Sequence, residues 1–428
     1  MYDLAIIGAG WAGFNAALRA KELKLKVCLI ESGPIGGTCL NHGCIPTKTL
    51  IACAKIFSLA KRSSSFGVEL ENPRLNFAKI QERKNRIVSE LCRGMQSKLA
   101  GIDFINAQAQ IISAHEIKAG ASLINAKFIL IATGSRALEL PGLKFDADKI
   151  ISSEQALALA EIPKSLLIIG GGVIGCEFAS LFSILGAEVI IAEKMPYLLP
   201  GEDKDISRKI EVIFKKKGIK VFTSADIATL NLQDFAKVLV CVGRAAYISG
   251  LGLQDLGMKL ENNRIVVDDY LKSSLDNIYA AGDCTAKVML AHFAAYQGIT
   301  AVENIFSDNQ QKVGNSVVPA CIFTEPQIAS VGVSQEDALA TGQLIKIHKF
   351  DFRGNAMARI IDETEGFVKI ISNQQTSKII GASIIGPYAT ELIALLTLAV
   401  SAQLSVNQIR AVIFAHPTFS ESLRDAII

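Results

Sequence analysis

Hydrophobic and polar positions follow the same order in two separate stretches of the chain. Residues 3–31 and residues 165–193 each contain an apolar run, a glycine-rich turn, a helix-length segment and a second apolar run that ends in glutamate. The two stretches align with each other without a gap. Short apolar runs on either side of a helix-length segment predict a βαβ unit. The sequence therefore predicts two such units.

The turn of each unit has the pattern G-x-G-x-x-G. In such a turn the glycines allow a tight bend and close approach of a pyrophosphate, while the following helix offers free N–H groups. The glutamate at the end of each unit, Glu31 or Glu193, is placed to accept hydrogen bonds from a ribose diol. One such turn is a weak signal, but two in register predict two dinucleotide sites. Their glycines are Gly8, Gly10 and Gly13 in the first unit and Gly170, Gly172 and Gly175 in the second.

The pattern between and after the units predicts how they are completed. A strand at residues 128–131 leads to Pro141 and Gly142, which indicate a domain boundary, and a strand at 238–242 closes the second unit. A later strand at 277–281 is expected to rejoin the first domain.

The pattern changes from about Val313 onward. Strands are predicted at 366–371 and 378–384, followed by long helices at 392–402 and 407–414. The predicted fold class is thus α/β, with two Rossmann-like βαβ dinucleotide-binding domains and a C-terminal α+β domain.

Composition narrows the range of functions. A chain of 428 residues is too long to fold around one hydrophobic core, so several domains are expected. Its net charge of +3 gives no reason to expect a nucleic-acid or anionic-membrane partner. The late apolar segment at 392–400 is shorter than a membrane span requires. Nine cysteines without a predicted export signal favour the reducing cytoplasm, where a disulfide is more often catalytic than structural.

Two cysteines stand apart from the rest because of their position. Cys39 and Cys44 form a C-x4-C pair soon after Glu31, near the predicted start of a helix. A disulfide closing so short a loop is easily reduced, and a helix N-terminus favours the thiolate. The spacing alone also occurs in metal sites and in unrelated buried cysteines, but its place beside a dinucleotide unit favours redox chemistry.

The segment around these cysteines, GGTCLNHGCIPTK at 36–48, resembles the pyridine nucleotide–disulfide oxidoreductase family, class I, and its dihydrolipoamide dehydrogenases in particular. The resemblance extends along nearly the whole chain. It includes the segments ATGS at 132–135, VGR at 242–244, YAAGD at 279–283, MLAH at 289–292, FTEPQIASVG at 323–332 and HPTFSE at 416–421.

The resemblance implies an order of domains. It implies an FAD-binding domain in two parts, 1–142 and 267–312, separated by an NAD-binding domain at 143–266. A dimerisation domain would follow at 313–428, so a homodimer is expected.

The resemblance also implies roles for individual side chains. Cys44 would be the thiol beside the flavin and Cys39 the thiol that exchanges with substrate. Lys48 would lie near the flavin ring, paired with Glu177. Other residues implied to bind cofactor are Glu31 at the adenosine ribose of FAD, Asp283 at its ribityl chain, and Thr133, Gly134, Gly243 and Arg244 in the neighbouring motifs.

His416 is the predicted acid–base residue. A carboxylate on one ring nitrogen fixes the tautomer of a histidine and raises its basicity, and Glu421 is in the right place along the chain. The family arrangement implies that each histidine reaches the disulfide of the partner chain, and the His416–Pro417 bond is expected to be cis. No metal site is predicted.

Cofactor and substrate choice follow from a few residues. Glu193 would repel a 2′-phosphate, so NAD is favoured over NADP. The resemblance implies that the activity is oxidation of dihydrolipoyl groups, with lipoyl-bearing proteins of 2-oxo acid dehydrogenase or glycine-cleavage complexes as partners. The alternatives are a reductase of another small disulfide and a flavin-binding structural subunit without turnover.

Three departures from the family pattern bear on these expectations. His42 lies between the cysteines where relatives usually have an apolar residue, and Phe414 replaces a common histidine. The segment 218–242 is short, as if a hairpin of the NAD-binding domain were missing. His42 is predicted either to stabilise a thiolate when protonated or to face solvent.

Overall fold

The computed structural model describes residues 1–285, 288–308, 310–314 and 317–428. The first part of the chain forms a parallel sheet extended by an antiparallel meander. Its elements are β1 Tyr2–Ile7, α1 Trp11–Glu22, β2 Val27–Glu31, α2 Gly37–His42, α3 Cys44–Lys61, α4 Phe77–Lys98, β3 Asp103–Asn106, β4 Ala109–Ser113, β5 Glu116–Ala119, β6 Ser122–Ile131 and β7 Ser135–Ala137.

The strand order in this sheet is β3-β2-β1-β6-β5-β4. β1 lies between β2 and β6, parallel to both, and residues 4–7 are buried, as expected for a strand covered on both faces. Gly8 follows with φ +105°, and a Cβ there would lie 2.3 Å from the carbonyl oxygen of Ala132. The turn can therefore form only with glycine at this position.

The second part repeats this construction. Its elements are β8 Ile150–Ile151, α5 Ser153–Leu157, β9 Ser165–Ile169, α6 Val173–Leu185, β10 Glu188–Ala192, α7 Lys204–Lys216, β11 Lys220–Phe222, β12 Lys237–Val240 and β13 Arg244–Ala246. The strands β11-β10-β9-β12-β8 form a parallel sheet. Only two 3-10 turns, Ile227–Thr229 and Leu232–Asp234, join β11 to β12, so this fully described connection contains no hairpin.

The chain then returns to the first domain before it enters the last one. The remaining elements are β14 Leu260–Glu261, β15 Arg264–Ile265, β16 Ile278–Ala280, α8 Ala291–Phe306, β17 Ala320–Ile322, β18 Gln327–Gly332, α9 Gln335–Ala340, β19 Ile345–Asp351, α10 Ala356–Ile360, β20 Phe367–Asn373, β21 Ile379–Gly386, α11 Ala389–Ser401, α12 Val406–Arg410 and α13 Glu421–Ile427. β16 pairs in parallel with β6, which confirms that the strand predicted at 277–281 rejoins the first sheet.

The last domain is an antiparallel sheet of order β17-β18-β21-β20-β19 with helices packed on it. The α+β prediction is confirmed, but the long helix predicted at 407–414 is wrong because α12 ends at Arg410. Val412 and Ile413 beyond it are exposed, Ile413 by 96%. Their apolar side chains have no core of this chain to pack on, and a short helix needs such packing to extend.

Helix α3 connects all three domains. Leu50 and Ala54 on α3 are buried in one cluster with Phe178 and with Ile322 and Ile328 of the last sheet. By length and composition, Gly37–Lys61 is also apolar enough to cross a membrane. In this fold Leu50 and Ala54 of the segment are buried in the interior, and the absence of a membrane partner stays a prediction.

Candidate active site

A cavity of about 840 Å³ lies between the first glycine turn, the cysteine segment and helix α6. It brings together residues that are distant along the chain, including most of the predicted site. The predicted residues in its wall are Gly8, Gly10, Glu31, Cys39, Cys44, Lys48, Thr133, Gly134, Glu177, Arg244 and Asp283.

The first glycine turn leaves space for a ligand to come close to its backbone. A Cβ on Gly13 would lie 1.8 Å from the carbonyl oxygen of Gly8, so α1 packs directly on the turn. A Cβ on Gly10 would meet nothing closer than 3.9 Å, and no side chain caps α1. The first N–H groups of α1 are thus available to a phosphate.

Glu31 is fixed at the other end of this turn. Its carboxylate accepts the backbone N–H of Ala9 at 2.6 Å and that of Gly33 at 2.7 Å. Each carboxylate oxygen keeps a second lone pair, and Glu31 lines the cavity. Its position is therefore compatible with the predicted role at a ribose diol.

Two buried polar atoms of the cavity wall have no hydrogen-bond partner among the described residues. They are the hydroxyl oxygen of Thr133 and the indole Nε1 of Trp11. Buried polar atoms are nearly always paired in folded proteins, so unpaired ones indicate a missing ligand. The Thr133 hydroxyl, together with the free α1 terminus and the size of the cavity, fits a bound dinucleotide such as FAD.

A polar chain at the cavity links three segments. The Arg244 guanidinium donates through Nε to the Ser135 hydroxyl at 2.7 Å, and that hydroxyl donates to Asp283 at 2.5 Å. The Arg244 Nη2 also donates to the Ser135 carbonyl at 2.7 Å. Asp283 is thereby held at the cavity, where it keeps acceptor capacity for a hydroxyl-bearing chain.

The two cysteines lie on either side of a helix break. Cys39 is in α2, and Gly43 separates α2 from α3, which begins at Cys44 and runs for 18 residues. Both sulfurs are free thiols here and share a hydrogen bond. Reduction of the predicted redox pair would give a hydrogen-bonded dithiol of this kind.

The two thiols differ in acidity. The hydrogen bond from Cys39 and the positive charge of Lys48 lower the pKa of Cys44 to about 7, against burial and the nearby Glu177. The same hydrogen bond, together with burial, raises the pKa of Cys39. Burial also raises the pKa of five other thiols, those of Cys28, Cys176, Cys241, Cys284 and Cys321. Cys44 is thus poised to be the thiolate.

The predicted Lys48–Glu177 pair forms and joins three domains. The Lys48 Nζ lies 2.9 and 2.8 Å from the two carboxylate oxygens of Glu177 on α6. Glu177 also accepts the backbone N–H of Phe323 at 2.8 Å, and Lys48 lies over the Phe323 ring at 4.8 Å from its centre. The Glu177 carboxylate, fixed by these partners, holds Lys48 in the cavity wall.

His42, between the cysteines, faces the cavity and the second domain. Its Nδ1 lies 3.1 Å from a carboxylate oxygen of Glu154 on α5, and its side chain is 42% exposed. The pairing with Glu154 was not foreseen from the sequence because it depends on how the two domains meet.

The second glycine turn repeats the geometry of the first. Gly170 has φ +107°, a Cβ on Gly175 would lie 2.0 Å from the Gly170 carbonyl oxygen, and Gly172 has open space around it. Glu193 accepts the backbone N–H of Gly171 and, at 2.6 Å, that of Met195. These residues, with Gly243 at φ +127°, lie outside the main cavity wall.

His416 is not among the residues that line the cavity with the thiols of its own chain. Its Nδ1 is 3.0 Å from Glu421, which also accepts the Thr418 N–H at 2.9 Å, and the His416–Pro417 bond is cis as predicted. The Thr418 N–H and His416 lower the pKa of Glu421. The histidine side chain is 72% exposed and so is free to act on another molecule.

Sequence reasoning missed several residues that shape this site. Trp11, Ser135 and Glu154 each contact a predicted residue or share its cavity. The only advance signals were that Trp11 follows a glycine of the motif and that Ser135 ends the ATGS segment.

Comparisons with known proteins establish the family to which the chain belongs. The family model for pyridine nucleotide-disulphide oxidoreductases matches residues 2–298, and that for their dimerisation domain matches residues 318–427. The chain belongs to this family. Its members bind FAD and a pyridine nucleotide, so the chain is a flavin-dependent disulfide oxidoreductase with a dimerisation domain.

Individual relatives resemble the chain over its full length. A dihydrolipoyl dehydrogenase from Bacillus subtilis is 36% identical over 461 aligned positions, covering 100% of this chain and 97% of the relative. One from Chlamydia pneumoniae is 36% identical, covering 98% and 95%. The fold resembles LpdA from Mycobacterium tuberculosis with a TM-score of 0.93 at 28% identity, covering 99% of this chain and 98% of LpdA.

A second solved structure points to another branch of the family. The HOCl-induced flavoprotein disulfide reductase RclA from Escherichia coli superposes with a TM-score of 0.89 at 29% identity, covering 100% of this chain and 99% of RclA. Family membership is therefore established, while the identity of the substrate is a separate question.

Proposed function

We propose that this protein is a dihydrolipoyl dehydrogenase that oxidises dihydrolipoyl groups and reduces NAD+. The observation that carries the proposal is the cysteine pair: Cys44, with a pKa lowered to about 7, lies in one cavity with the first glycine turn. The full-length similarity to dihydrolipoyl dehydrogenases at 36% identity supports this substrate class.

The cysteines exchange electrons with substrate as a disulfide. A substrate thiolate attacks Cys39, forming a mixed disulfide and releasing Cys44 as a thiolate. The second substrate thiol then attacks the substrate sulfur, so the substrate leaves as a cyclic disulfide and both cysteines are reduced. FAD, when bound, carries the two electrons from this dithiol to NAD+, giving NADH.

His416 would serve as the base that removes the substrate thiol protons. Its pairing with Glu421 leaves Nε2 free, and the exposure of the side chain fits action on a partner chain. Apolar Ile413 nearby is 96% exposed in the single chain, and the dimerisation domain supports a homodimer. Under the symmetry of a two-fold dimer, each site would combine thiols of one chain with the histidine of the other.

Residues of the chain also fit the predicted cofactors. The first turn, Glu31, Thr133 and Asp283 would hold FAD, and the second turn with Glu193 would hold NAD. A carboxylate at residue 193 would disfavour the extra phosphate of NADP. Lipoyl-bearing proteins of 2-oxo acid dehydrogenase or glycine-cleavage complexes are the proposed macromolecular partners.

A reductase of another small disulfide is the second candidate. It is favoured by the similarity to RclA over the whole chain and by Phe414, where the resemblance to dihydrolipoamide dehydrogenases implies a histidine. A structural subunit without turnover is disfavoured because both thiols and the His416–Glu421 pair are present and positioned.

Steady-state kinetics of the purified FAD-loaded protein separate these candidates. The proposal predicts that dihydrolipoamide with NAD+ gives the highest kcat/KM, well above NADPH with glutathione disulfide. Turnover of other disulfides with NADH, but none of dihydrolipoamide, would contradict the proposal in favour of the second candidate. A protein that retains FAD but turns over neither dihydrolipoamide nor any other disulfide tested would be the structural subunit.

A further inference from the structure

The sole tryptophan of the chain lies in the active-site cavity. Trp11 is the first residue of α1, directly after Gly10 of the glycine turn. Its indole Nε1 is buried and has no hydrogen-bond partner in the described part of the chain. A buried donor of this kind requires an acceptor that appears at some stage of the reaction or on binding of a ligand.

The packing of α2 places Cys39 next to this donor. Gly37, where α2 begins, has φ +56°, and a Cβ there would lie 2.8 Å from the Cα of Gly10. The start of α2 is thus pressed against the turn that precedes Trp11. Cys39 is in the first turn of α2 and lines the same cavity as Trp11.

The indole also acts on the thiol. The hydrogen bond to Cys44 and burial raise the pKa of Cys39, whereas the Trp11 N–H opposes them and lowers it. With both cysteines as thiols, Nε1 has no hydrogen-bond partner in the described part of the chain. A sulfur with a full negative charge is a stronger acceptor, so the contact would tighten when Cys39 ionises.

We propose that Trp11 is a positioning residue that binds the Cys39 thiolate through its indole N–H. The proposal rests on the proposed dithiol oxidation and identifies the step at which Trp11 acts. When the second substrate thiol attacks the mixed disulfide, the bond between Cys39 and the substrate sulfur breaks and the substrate disulfide forms. Cys39 leaves with the electron pair as a thiolate, and the proton of the attacking thiol goes to His416.

Cys39 needs such a donor more than Cys44 does. Cys44 begins α3 and therefore gains from the helix terminus and from Lys48, whereas Cys39 is the less acidic thiol. A poor leaving thiol slows disulfide exchange. The titratable groups of this chain around Cys39 are Cys44, Lys48, Glu177, His42 and Glu154, the last of which pairs with His42. In the proposed dimer, the partner subunit's His416 joins them.

The test exploits the single tryptophan. Growth of a tryptophan auxotroph on benzothienylalanine replaces Trp11 alone with an isostere in which sulfur takes the place of the N–H, and Trp11→Phe gives a second variant. The rate of Cys39 alkylation in the reduced FAD-loaded protein is measured against pH by peptide mass spectrometry. Loss of the donor should move the alkylation midpoint of Cys39 upward by about one pH unit, the size expected for one charge-assisted hydrogen bond.

Two further readouts distinguish this role from a merely structural one. The long-wavelength absorbance that reports the Cys44 thiolate should persist in both variants. Asn15→Ala is the matched control, because the Asn15 side chain donates to the Trp11 carbonyl at 2.8 Å and leaves the indole untouched. It should leave the Cys39 midpoint unchanged.

The outcomes decide the proposal. An unchanged Cys39 midpoint in the isosteric variant, or an equal shift in Asn15→Ala, would overturn it. The alkylation assay requires no turnover. A parent protein that does not oxidise dihydrolipoamide but shows the shift would therefore refute the proposed substrate and leave the role of Trp11 intact.

Discussion

The Lys48–Glu177 pair offers a quantitative test of how the thiolate is stabilised. Lys48→Met removes the positive charge that lowers the pKa of Cys44 and leaves the opposing charge of Glu177 in place. An opposite charge within a few ångströms shifts a pKa by about 1–3 units. Because the Lys48 side chain is 29% exposed, solvent screens its charge, and we expect the Cys44 midpoint to rise by about one unit, from about 7 to about 8.

The consequence at neutral pH is large. A rise of this size reduces the thiolate fraction at pH 7 from about one half to about one tenth. The assay is a pH titration of the long-wavelength absorbance between the Cys44 thiolate and FAD in two-electron-reduced protein. Lys55→Met is the matched control, because Lys55 is on the same helix and pairs instead with Glu363 at 3.5 Å.

The pair also predicts an effect on stability. Breaking a buried ion pair from one side costs about 3–5 kcal/mol, and this pair should lie at or below the low end because Lys48 is 29% exposed while Glu177 is 5% exposed. Adding Glu177→Gln to Lys48→Met should restore most of this loss. The glutamine oxygen can still accept the Phe323 N–H, and no unpaired charge remains.

The order of the Cys44 titration midpoints among the three variants and the parent tests the electrostatic explanation most directly. Lys48 lowers the pKa of Cys44 and Glu177 raises it, so Lys48→Met should titrate highest, the double variant next, then the parent, and Glu177→Gln lowest. Equal midpoints in Lys48→Met and the parent, or a raised midpoint in Glu177→Gln, would refute the electrostatic explanation.

Three other predictions concern single residues. Cys44→Ser should abolish the long-wavelength absorbance, whereas Cys39→Ser should show it in the resting protein; absorbance that survives Cys44→Ser would assign the flavin-proximal role to another thiol. Glu193→Ala should raise the KM for NAD+ and narrow the preference over NADP+ because a fixed acceptor is lost, and unchanged values for both would exclude a nucleotide role for Glu193. If protonated His42 stabilises a thiolate, His42→Val should raise the thiol pKa values, and Glu154→Gln should raise them too because it weakens the positive charge on His42. The thiol pKa values are measured by alkylation, and equal values in both variants and the parent would mean that the His42–Glu154 pair is structural only.

Most of the architecture follows from local patterns. The gapless repeat of 3–31 in 165–193 predicted both parallel sheets, because buried strands and glycine turns each depend on residues that are close together in the sequence. The helix predicted at 407–414 was wrong for a related reason. The segment has the apolar spacing of a helix, but Ile413 is exposed rather than packed on the core of its own chain. A single sequence does not distinguish apolar residues that pack inside the chain from those that contact another molecule.

The site was predictable where a motif carries the chemistry and less so where domains meet. The Lys48–Glu177 and His416–Glu421 pairs were expected and form. The Ser135 bridge from Arg244 to Asp283, and the position of Trp11 beside Cys39, depend on tertiary packing between distant segments. No periodicity or spacing in the sequence records such contacts.

The central claim is that dithiol oxidation takes place at a site shared by two chains. Cys44→Ser and His416→Ala should each be nearly inactive as homodimers in the dihydrolipoamide and NAD+ assay. In a heterodimer of the two, purified through separate tags, one site carries both defects and the other carries neither. We predict recovery of about half of the parent activity, as reciprocal two-fold sites require. A stable heterodimer with activity near zero would contradict the shared site, and a parent protein inactive in this assay would contradict the proposed function.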